Sequence, residues 1–398
     1  MLSASNPEKK DVIIIGAGAS GLMCAMEAGK RKRRVLVMDH AKNPGQKLLI
    51  SGGGRCNFTN YHIHAGNYIS HNPHFCKSAL SRYTQMDFLA LLKKHQVSFS
   101  QREHGQLFCT GSSREILDLL LSECRDAGVS FKLGIKVERI EQKGDHDFAV
   151  YTDQGDFSCN SLVVATGGLS LPSTGASPIG YEIAKQFHIK IWPPHAGLVP
   201  FTLQPEDKEN LSSLSGISVD ATVSSRGQSF RGNILFTHRG LSGPAVLQIS
   251  SYWQPGDEIT INLLPDMDLV DELKAKKQHP QQKLKTVLAE YLPKRLVAAR
   301  ILSDPAERPL QAISHSRFRE ISSQLQQWKI KPCGTEGYRT AEITVGGVDC
   351  DAISSKTMEA RKVAGLYFIG EVLDVTGWLG GFNLQWAWSS GWCAGQDV

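Results

Sequence analysis

Residues 11–15 (DVIII) form a short run that is apolar on both faces. Gly16-Ala17-Gly18-Ala19-Ser20-Gly21 follows, then LMCAMEAGKRKRR with helical spacing, then the buried run VLVMD at 35–39. Short continuous apolar runs bounded by glycine and joined by a helix predict a parallel βαβ unit. Residues 43–60 follow neither period, are dense in Gly and Asn, and are expected as loop. Helical periodicity returns at 86–95 and 112–127. Strand-like pieces lie near 129–140, 148–152 and 157–165, the last (SLVVATGG) ending in a glycine pair.

The pattern changes after Pro193-Pro194. Short strand-like stretches at 198–203, 217–224, 228–235 and 257–263 predict a small β unit. Residues 268–327 read as largely helical, punctuated by Pro280, Pro293, Pro305 and Pro309. Buried-strand character returns in GLYFIGE (365–371). A glycine-rich turn and the apolar segment FNLQWAWSSGWCAG then follow. The expected architecture is α/β: one dinucleotide domain built from residues 1–194 and 341–398, with an inserted domain at 195–340.

Composition narrows the class. The chain has 398 residues, 41% hydrophobic and 21% charged, which is enough apolar surface for a sizeable core. No run approaches 18 uninterrupted apolar residues, so no membrane-spanning helix and a cytoplasmic protein are expected. The nine cysteines are odd in number and include no C-x-x-C pair, which argues against a disulfide scaffold, a zinc ribbon or a dithiol redox pair, and no metal site is expected. Net charge is +5. Residues 270–300 hold eight Lys/Arg and three acids, a local excess of five, and Lys30–Arg34 reads KRKRR. A basic helical insert is either an RNA-facing surface or a solvated one. The KRKRR run equally suits a helix C-terminus.

Gly16, Gly18 and Gly21 make a G-x-G-x-x-G motif between a strand and a helix, the context in which it signals a dinucleotide. The first glycine permits the turn, the second a close pyrophosphate, and the third close helix–strand packing. Ala19 and Ser20 open the helix at that phosphate. Asp39, with His40 beside it, ends the second strand, where a carboxylate can accept from a ribose hydroxyl. Two later features favour FAD over NAD. Thr166 and Gly167 end one strand, and Gly370-Glu371 leads to a second glycine turn before a helix. With no second G-x-G-x-x-G, NAD(P)H is expected only as a transient reductant.

SGGGRCNFTN (51–60), LFTHRGLSGPAVLQIS (235–250) and GEVLDVTGWLGGFNLQWAWSSG (370–391) resemble the YhiN-like (BaiN/RdsA) flavoprotein family, over almost the whole chain. HNPHFCKSALSRY (71–83), TEGYRTAEITVGGVD (335–349) and ISSKTMEA (353–360) are similar to its RdsA branch. The resemblance implies a glutathione-reductase-like, Rossmann-like FAD-binding domain interrupted by a β-barrel-plus-helical domain. It implies further cofactor contacts at Lys47, Ser51, Gly52, Gly53, Arg55, Cys56, Asn57, Val137, Asp374, Gly381, Phe382, Asn383 and Leu384. The implied activity is NAD(P)H-dependent reduction of an activated C=C bond, with uridine of 23S ribosomal RNA as substrate and ribosomal RNA as partner. The family also includes enone reductases and an amine oxidase, and a non-catalytic flavin-binding RNA-associated factor would share the cofactor site.

Reducing uridine adds hydride to C6 and a proton to C5, so an acid is required. Cys109 stands where many members carry an Arg-x-Phe-Pro stretch and is the first candidate acid. It reads equally as a small core residue after Phe108. Cys56 is the alternative thiol, or a packing contact. Lys47 and Arg55 are expected to face the pyrophosphate or the flavin pyrimidine, or else to be loop charges. His238 and Arg239 either reach the substrate or stabilise their own turn. Trp378, Trp386, Trp388 and Trp392 suit helix packing better than base stacking.

Overall fold

The computed structural model describes residues 8–278, 282–301 and 308–398. Pro280 and Pro305 lie outside the described residues. The chain divides into two compact units. One comprises the residues up to His195 together with Ile343–Val398, and the other is Ala196–Glu342.

The strands of the first unit are β1 (Glu8–Ile15), β2 (Val35–Asp39), β3 (Asn57–Asn60), β4 (Tyr68–Ile69), β5 (Phe99–Gln101), β6 (Gln106–Cys109), β7 (Ser130–Leu133), β8 (Val137–Gly144), β9 (Asp147–Thr152) and β10 (Gly155–Val164). β1, β2, β7 and β10 are joined in parallel in the order β7-β2-β1-β10, and β9 and β8 continue the sheet antiparallel. β10 is long enough to serve two neighbours on the edge away from β1. Its first half pairs with β9, and Leu162–Val164 pair in parallel with Leu366–Phe368 near the end of the chain.

The helix Ala19–Lys30 covers this sheet and is buried from Ser20 to Met26, because its sequence is apolar all round. Its outer neighbour is the helix Phe382–Gly395. The two meet through glycine: a Cβ on Gly391 would lie 2.5 Å from the Ser20 carbonyl oxygen, and one on Gly395 2.9 Å from that of Cys24. Trp386 and Trp388 are buried in the same helix. Their indole N–H groups donate to the carbonyls of Gly370 at 3.0 Å and Phe58 at 2.8 Å. Both therefore pack the helix.

Residues 43–60 are less irregular than their composition predicts. A helical turn runs over 46–50, and Ser51 breaks it with ψ 144. Gly52, Gly53 and Gly54 then take positive φ before β3 begins. The turn escapes sequence reading because it is too short to show a period.

β11 (Ile191–Gly197) leads out of the first unit. In the second unit β12 (Phe201–Thr202), β13 (Ser218–Ser225), β14 (Gln228–Phe236), β15 (Gly240–Ser242), β16 (Ile259–Asn262), β17 (Trp328–Ile330) and β18 (Gly334–Thr335) pair antiparallel in the order β17-β16-β13-β14-β15-β12-β18. Among the described residues no pair joins β17 to β18. The expected barrel is therefore an open sheet, since closure needs its ends to pair. Helices Pro205–Leu211, Pro244–Ser250, Leu269–Lys276, Leu284–Leu288, Lys294–Arg300 and His315–Gln326 also belong to the unit.

The chain re-enters the first unit through β19 (Ile343–Val348), which pairs with β11. β20 (Leu366–Phe368) and β21 (Thr376–Gly377) follow, and β21 pairs with β4. No helix among the described residues is long and apolar enough to cross a membrane.

Candidate functional site

The candidate site lies where the sheet order turns, at the carboxyl ends of β1 and β10, the place at which open α/β sheets bind ligands. Gly16 turns the chain with φ 115, and a Cβ there would lie 2.3 Å from the Ala165 carbonyl oxygen. A Cβ on Gly21 would lie 2.0 Å from the Gly16 carbonyl oxygen. Gly18 differs. It has ordinary extended geometry, nothing lies within 4 Å of its Cβ position, and no side chain caps the helix it opens at Ala19 and Ser20. Gly167, with φ 69, is also open, and the buried Thr166 hydroxyl has no hydrogen-bond partner. Open backbone, an uncapped helix N-terminus and an orphaned hydroxyl at one site fit a pyrophosphate.

Asp39 ties the site together. Its Oδ2 accepts from the Ala17 N–H at 2.7 Å and its Oδ1 from the Ala41 N–H at 2.8 Å, with His40 Nδ1 3.6 Å away. Each oxygen keeps a lone pair for a ribose hydroxyl. Val137 is buried at the start of β8. The preceding Ile135 N–H donates to the Asp39 carbonyl at 3.1 Å, so this segment runs beside the same carboxylate.

Lys47 is not a free cation. Its Nζ lies 2.8 Å from Glu371 Oε2 and also bonds Ser170 Oγ. Glu371 Oε1 accepts from the Thr344 N–H at 2.8 Å. Glu371 thus supplies a counter-charge to Lys47 at this edge of the candidate site. Gly370 has φ 74, and a Cβ on it would lie 2.5 Å from Ser20 Oγ, so the Gly370-Glu371 turn abuts the first helix.

The three left-handed glycines form a second wall. Gly53 and Gly54 have nothing within 4 Å of their Cβ positions, and Arg55 next to them is exposed. Gly52 is close to the Asn57 N–H and the Phe108 ring, and Ser51 Oγ donates to the Leu48 carbonyl at 2.7 Å. The Asn57 amide lies against Gln106 and the Gly381 N–H. Gly381 has φ 96, and a Cβ there would lie 2.3 Å from the Thr59 carbonyl oxygen. It opens the helix of Phe382, Asn383 and Leu384 without a side-chain cap. Asn383 clamps the turn, accepting from the Gly377 N–H and donating to the Gly377 carbonyl, both at 2.8 Å. A second uncapped helix N-terminus beside open glycine backbone suits a flavin pyrimidine, which gains negative charge on reduction.

The two thiols point elsewhere. In β6 the alternation sends Gln106 and Phe108 toward Gly380 and Gly52, and Leu107 and Cys109 into the core. Cys109 is 1% exposed, and burial pushes its thiol up to about 12. Cys56 is buried with φ 48, and burial likewise pushes it up to about 12. The acid expected at Cys109, or at Cys56, is corrected on this ground. Both side chains are packing groups, and the bend at Cys56 shapes the loop.

Asp374 lies three residues beyond Glu371. Its side chain is 2% exposed, and its Oδ2 accepts from the His71 N–H at 2.8 Å and meets His71 Nδ1 at 2.9 Å. Burial pushes its carboxyl up from the usual range, and the His71 bonds act against this. The His71 imidazole stacks on Trp192, with centroids 3.5 Å apart and planes at 4°. His71 sits in the HNPHF segment, but nothing local in the sequence marks a partner 303 residues away.

His238 and Arg239 are exposed in the second unit, in the turn between β14 and β15. Thr237 Oγ1 accepts from the Arg239 and Gly240 N–H groups, so neither the imidazole nor the guanidinium holds this turn. Arg239 lies 3.4 Å from Glu336.

The basic runs are largely engaged. Lys30 pairs with Glu27 and Glu123, Arg34 pairs with Asp11, and Arg31 and Arg33 donate to the Val398 carbonyl. In the second unit Lys274 pairs with Asp271 and Lys276 with Glu290. Lys277 donates to the Ile313 carbonyl, and Arg300 lies over Trp328. Among the described residues no group of three His, Cys, Asp or Glu is placed to hold a metal ion.

Comparison with known proteins gives the family and the fold. A ribosomal RNA dihydrouridine synthase of Escherichia coli is 52% identical over 396 residues, 98% of each chain. A 3-dehydro-bile acid delta(4,6)-reductase of Clostridium scindens is 29% identical over 96% of this chain and 97% of its own. An open-conformation flavocytochrome c3 fumarate reductase superposes with a TM-score of 0.51 at 17% identity, covering 99% of this chain and 79% of that one. The family model described as the HI0933-like protein Rossmann domain matches residues 10–397. The chain belongs to the HI0933-like family and has the Rossmann fold of FAD-binding flavoenzymes.

Proposed function

We propose that this chain, an FAD-dependent oxidoreductase, reduces uridine in 23S ribosomal RNA to dihydrouridine, with NAD(P)H as the transient hydride source. The observation that carries the reading is the end-to-end 52% identity with a ribosomal RNA dihydrouridine synthase. A site whose open backbone suits a dinucleotide supports it.

In this reading Gly16, Gly18, Ala19, Ser20 and Gly21 seat the pyrophosphate at the first helix N-terminus. Asp39 accepts from ribose. Thr166 Oγ1 and the Gly167 backbone line the same passage, and Glu371 and Lys47 brace it. The Gly53-Gly54 backbone, Arg55 and the N–H groups of Phe382, Asn383 and Leu384 border the ring. FAD would supply the two-electron hydride chemistry. His238 and Arg239, exposed on their turn, are proposed substrate contacts.

The pyrimidine C5=C6 bond is conjugated with the C4 carbonyl. Hydride addition at C6 therefore builds negative charge on that oxygen and on C5. The protein must orient the ring, stabilise the charge and provide a proton at C5. It must also accept a base that has left its stack, at a cost of about a few kcal/mol.

The test measures dihydrouridine in 23S ribosomal RNA from cells lacking the gene, before and after re-expression. Loss and recovery are expected, and unchanged content removes the substrate. Bleaching of the purified protein's flavin absorbance by NADH or NADPH checks the reductant.

A further inference from the structure

The reaction needs a proton donor, and both thiols near the glycine loops are in the core. We propose that His71 is the general acid of the reductase, with Asp374 as its positioning residue and Trp192 as its backing plate. This rests on the reading under Proposed function and names the group that protonates the substrate.

The geometry fixes one atom for the task. Asp374, buried almost completely, occupies His71 Nδ1 at 2.9 Å and the His71 backbone N–H at 2.8 Å. With Nδ1 spent on a carboxylate, the titratable atom left is Nε2, on a side chain that is 50% exposed. Trp192 removes the remaining freedom, since a ring stacked at 3.5 Å and 4° cannot turn about χ2. The indole is itself held. Lys190 Nζ lies 3.3 Å from its centroid, too close to share a face with the imidazole, so the cation backs the other face. The β19 backbone continues the support: a Cβ on Gly346 would lie 3.0 Å from the Trp192 carbonyl oxygen. A surface histidine with no task has no need of a buried carboxylate and a stacked, braced indole.

The dyad is tied to the strands beside the candidate site: β4, which ends two residues before His71, pairs with β21, just ahead of the Gly380-Gly381 turn. Asp374 is three residues beyond Glu371. Its N–H donates to the Val348 carbonyl at 3.0 Å, while Glu371 takes the N–H of Thr344 in the same strand.

The step balances as follows. The C5=C6 π bond breaks. Reduced FAD, when bound, would supply the hydrogen and electron pair that C6 gains, and C5 gains the proton from the His71 imidazolium Nε2–H. His71 is left neutral with Nδ1–H still donated to Asp374, and solvent reprotonates Nε2.

The experiment uses the full-length holoenzyme and 23S ribosomal RNA isolated from cells lacking the gene. H71Q should retain bound FAD and its bleaching by reductant, yet form dihydrouridine about 10²- to 10⁴-fold more slowly. H71A should regain turnover with added imidazole, which a structural role would not produce. Independently of turnover, diethylpyrocarbonate should modify His71 in the free protein, read by peptide mass, and the RNA should protect it. D374N should fall between H71Q and the parent. Parental turnover by H71Q, or modification of His71 unaffected by RNA, overturns the assignment. A parent protein that makes no dihydrouridine overturns the underlying reading, and the assignment with it.

Discussion

Lys47 Nζ stands 2.8 Å from Glu371 Oε2, joining parts of the chain 324 residues apart at the edge of the proposed flavin site. Replacing Lys47 with Met leaves the carboxylate with the Thr344 N–H and the Ser170 hydroxyl but without its counter-charge. Both groups keep some solvent, so the expected loss is about 1–2 kcal/mol. Glu371→Gln should cost less than Glu371→Ala, because the amide oxygen can still accept from Thr344. Thermal melts of the three variants check the order. Equal melting for Gln and Ala would mean that the Thr344 bond contributes nothing.

Gly18 and Gly21 should separate cofactor binding from folding. A Cβ on Gly18 meets nothing in the protein and φ there is −84, so Gly18→Ala should fold with stability within about 0.5 kcal/mol of the parent. The methyl occupies the space assigned to the pyrophosphate, so bound FAD should drop at least tenfold. Gly21→Ala drives a Cβ to 2.0 Å from the Gly16 carbonyl oxygen and should lower the yield of folded protein itself. Flavin absorbance and melting temperature, measured on each variant, decide it. A fully yellow Gly18→Ala protein would remove the pyrophosphate from this site.

Which parts of this arrangement were legible in the sequence follows from the range of the forces involved. β1, β2, β10 and β20 are visible as short apolar runs because they are buried on both faces, and the glycine motif is visible because its demands are local. The face of Cys109 was within reach, since alternation along Gln106–Cys109 places it with Leu107, but that needed the face of Phe108 to be known first. The Lys47–Glu371 and His71–Asp374 pairs leave no local trace, because each partner is an ordinary loop residue until the fold brings them together. Sheet closure in the second unit failed for a similar reason. Strand content can be read from periodicity, but whether the end strands meet depends on stagger, which no single strand encodes.

The buried thiols make a direct prediction about Cys109. Eight of the nine cysteines are buried and Cys333 is exposed. Burial holds Cys109 and Cys56 up to about 12, so neither forms appreciable thiolate at pH 8. A disulfide exchange reagent at that pH should react fast with one thiol per chain, and peptide mapping should place it at Cys333. Cys109→Ala should keep FAD and turnover, at a cost of about 1 kcal/mol for the lost packing. Rapid labelling of Cys109, or inactivity of a folded, FAD-loaded Cys109→Ala, would return it to the chemistry.

Glu123 gives a pH signature for the dinucleotide unit. Its carboxylate is 2% exposed, and burial alone would push its pKa up. Hydrogen bonds from Lys94, His95 and Lys30 outweigh this and hold it at about 2, against an ordinary value of 4.5. The folded state therefore keeps this charge at pH values where the unfolded chain has taken up a proton. The resulting stabilisation is fully present above pH 4.5 and is lost as pH falls through 4.5 toward 2. Its upper size is about 3 kcal/mol. Glu123→Gln should lower the urea midpoint at pH 7, and the gap to the parent should narrow steadily as pH falls from 4.5 to 3. The other carboxylates are common to both proteins and cancel in the comparison. A gap that stays constant down to pH 3 would mean that the Lys30, Lys94 and His95 contacts do not favour the charged form, and that Glu123 acts through packing alone.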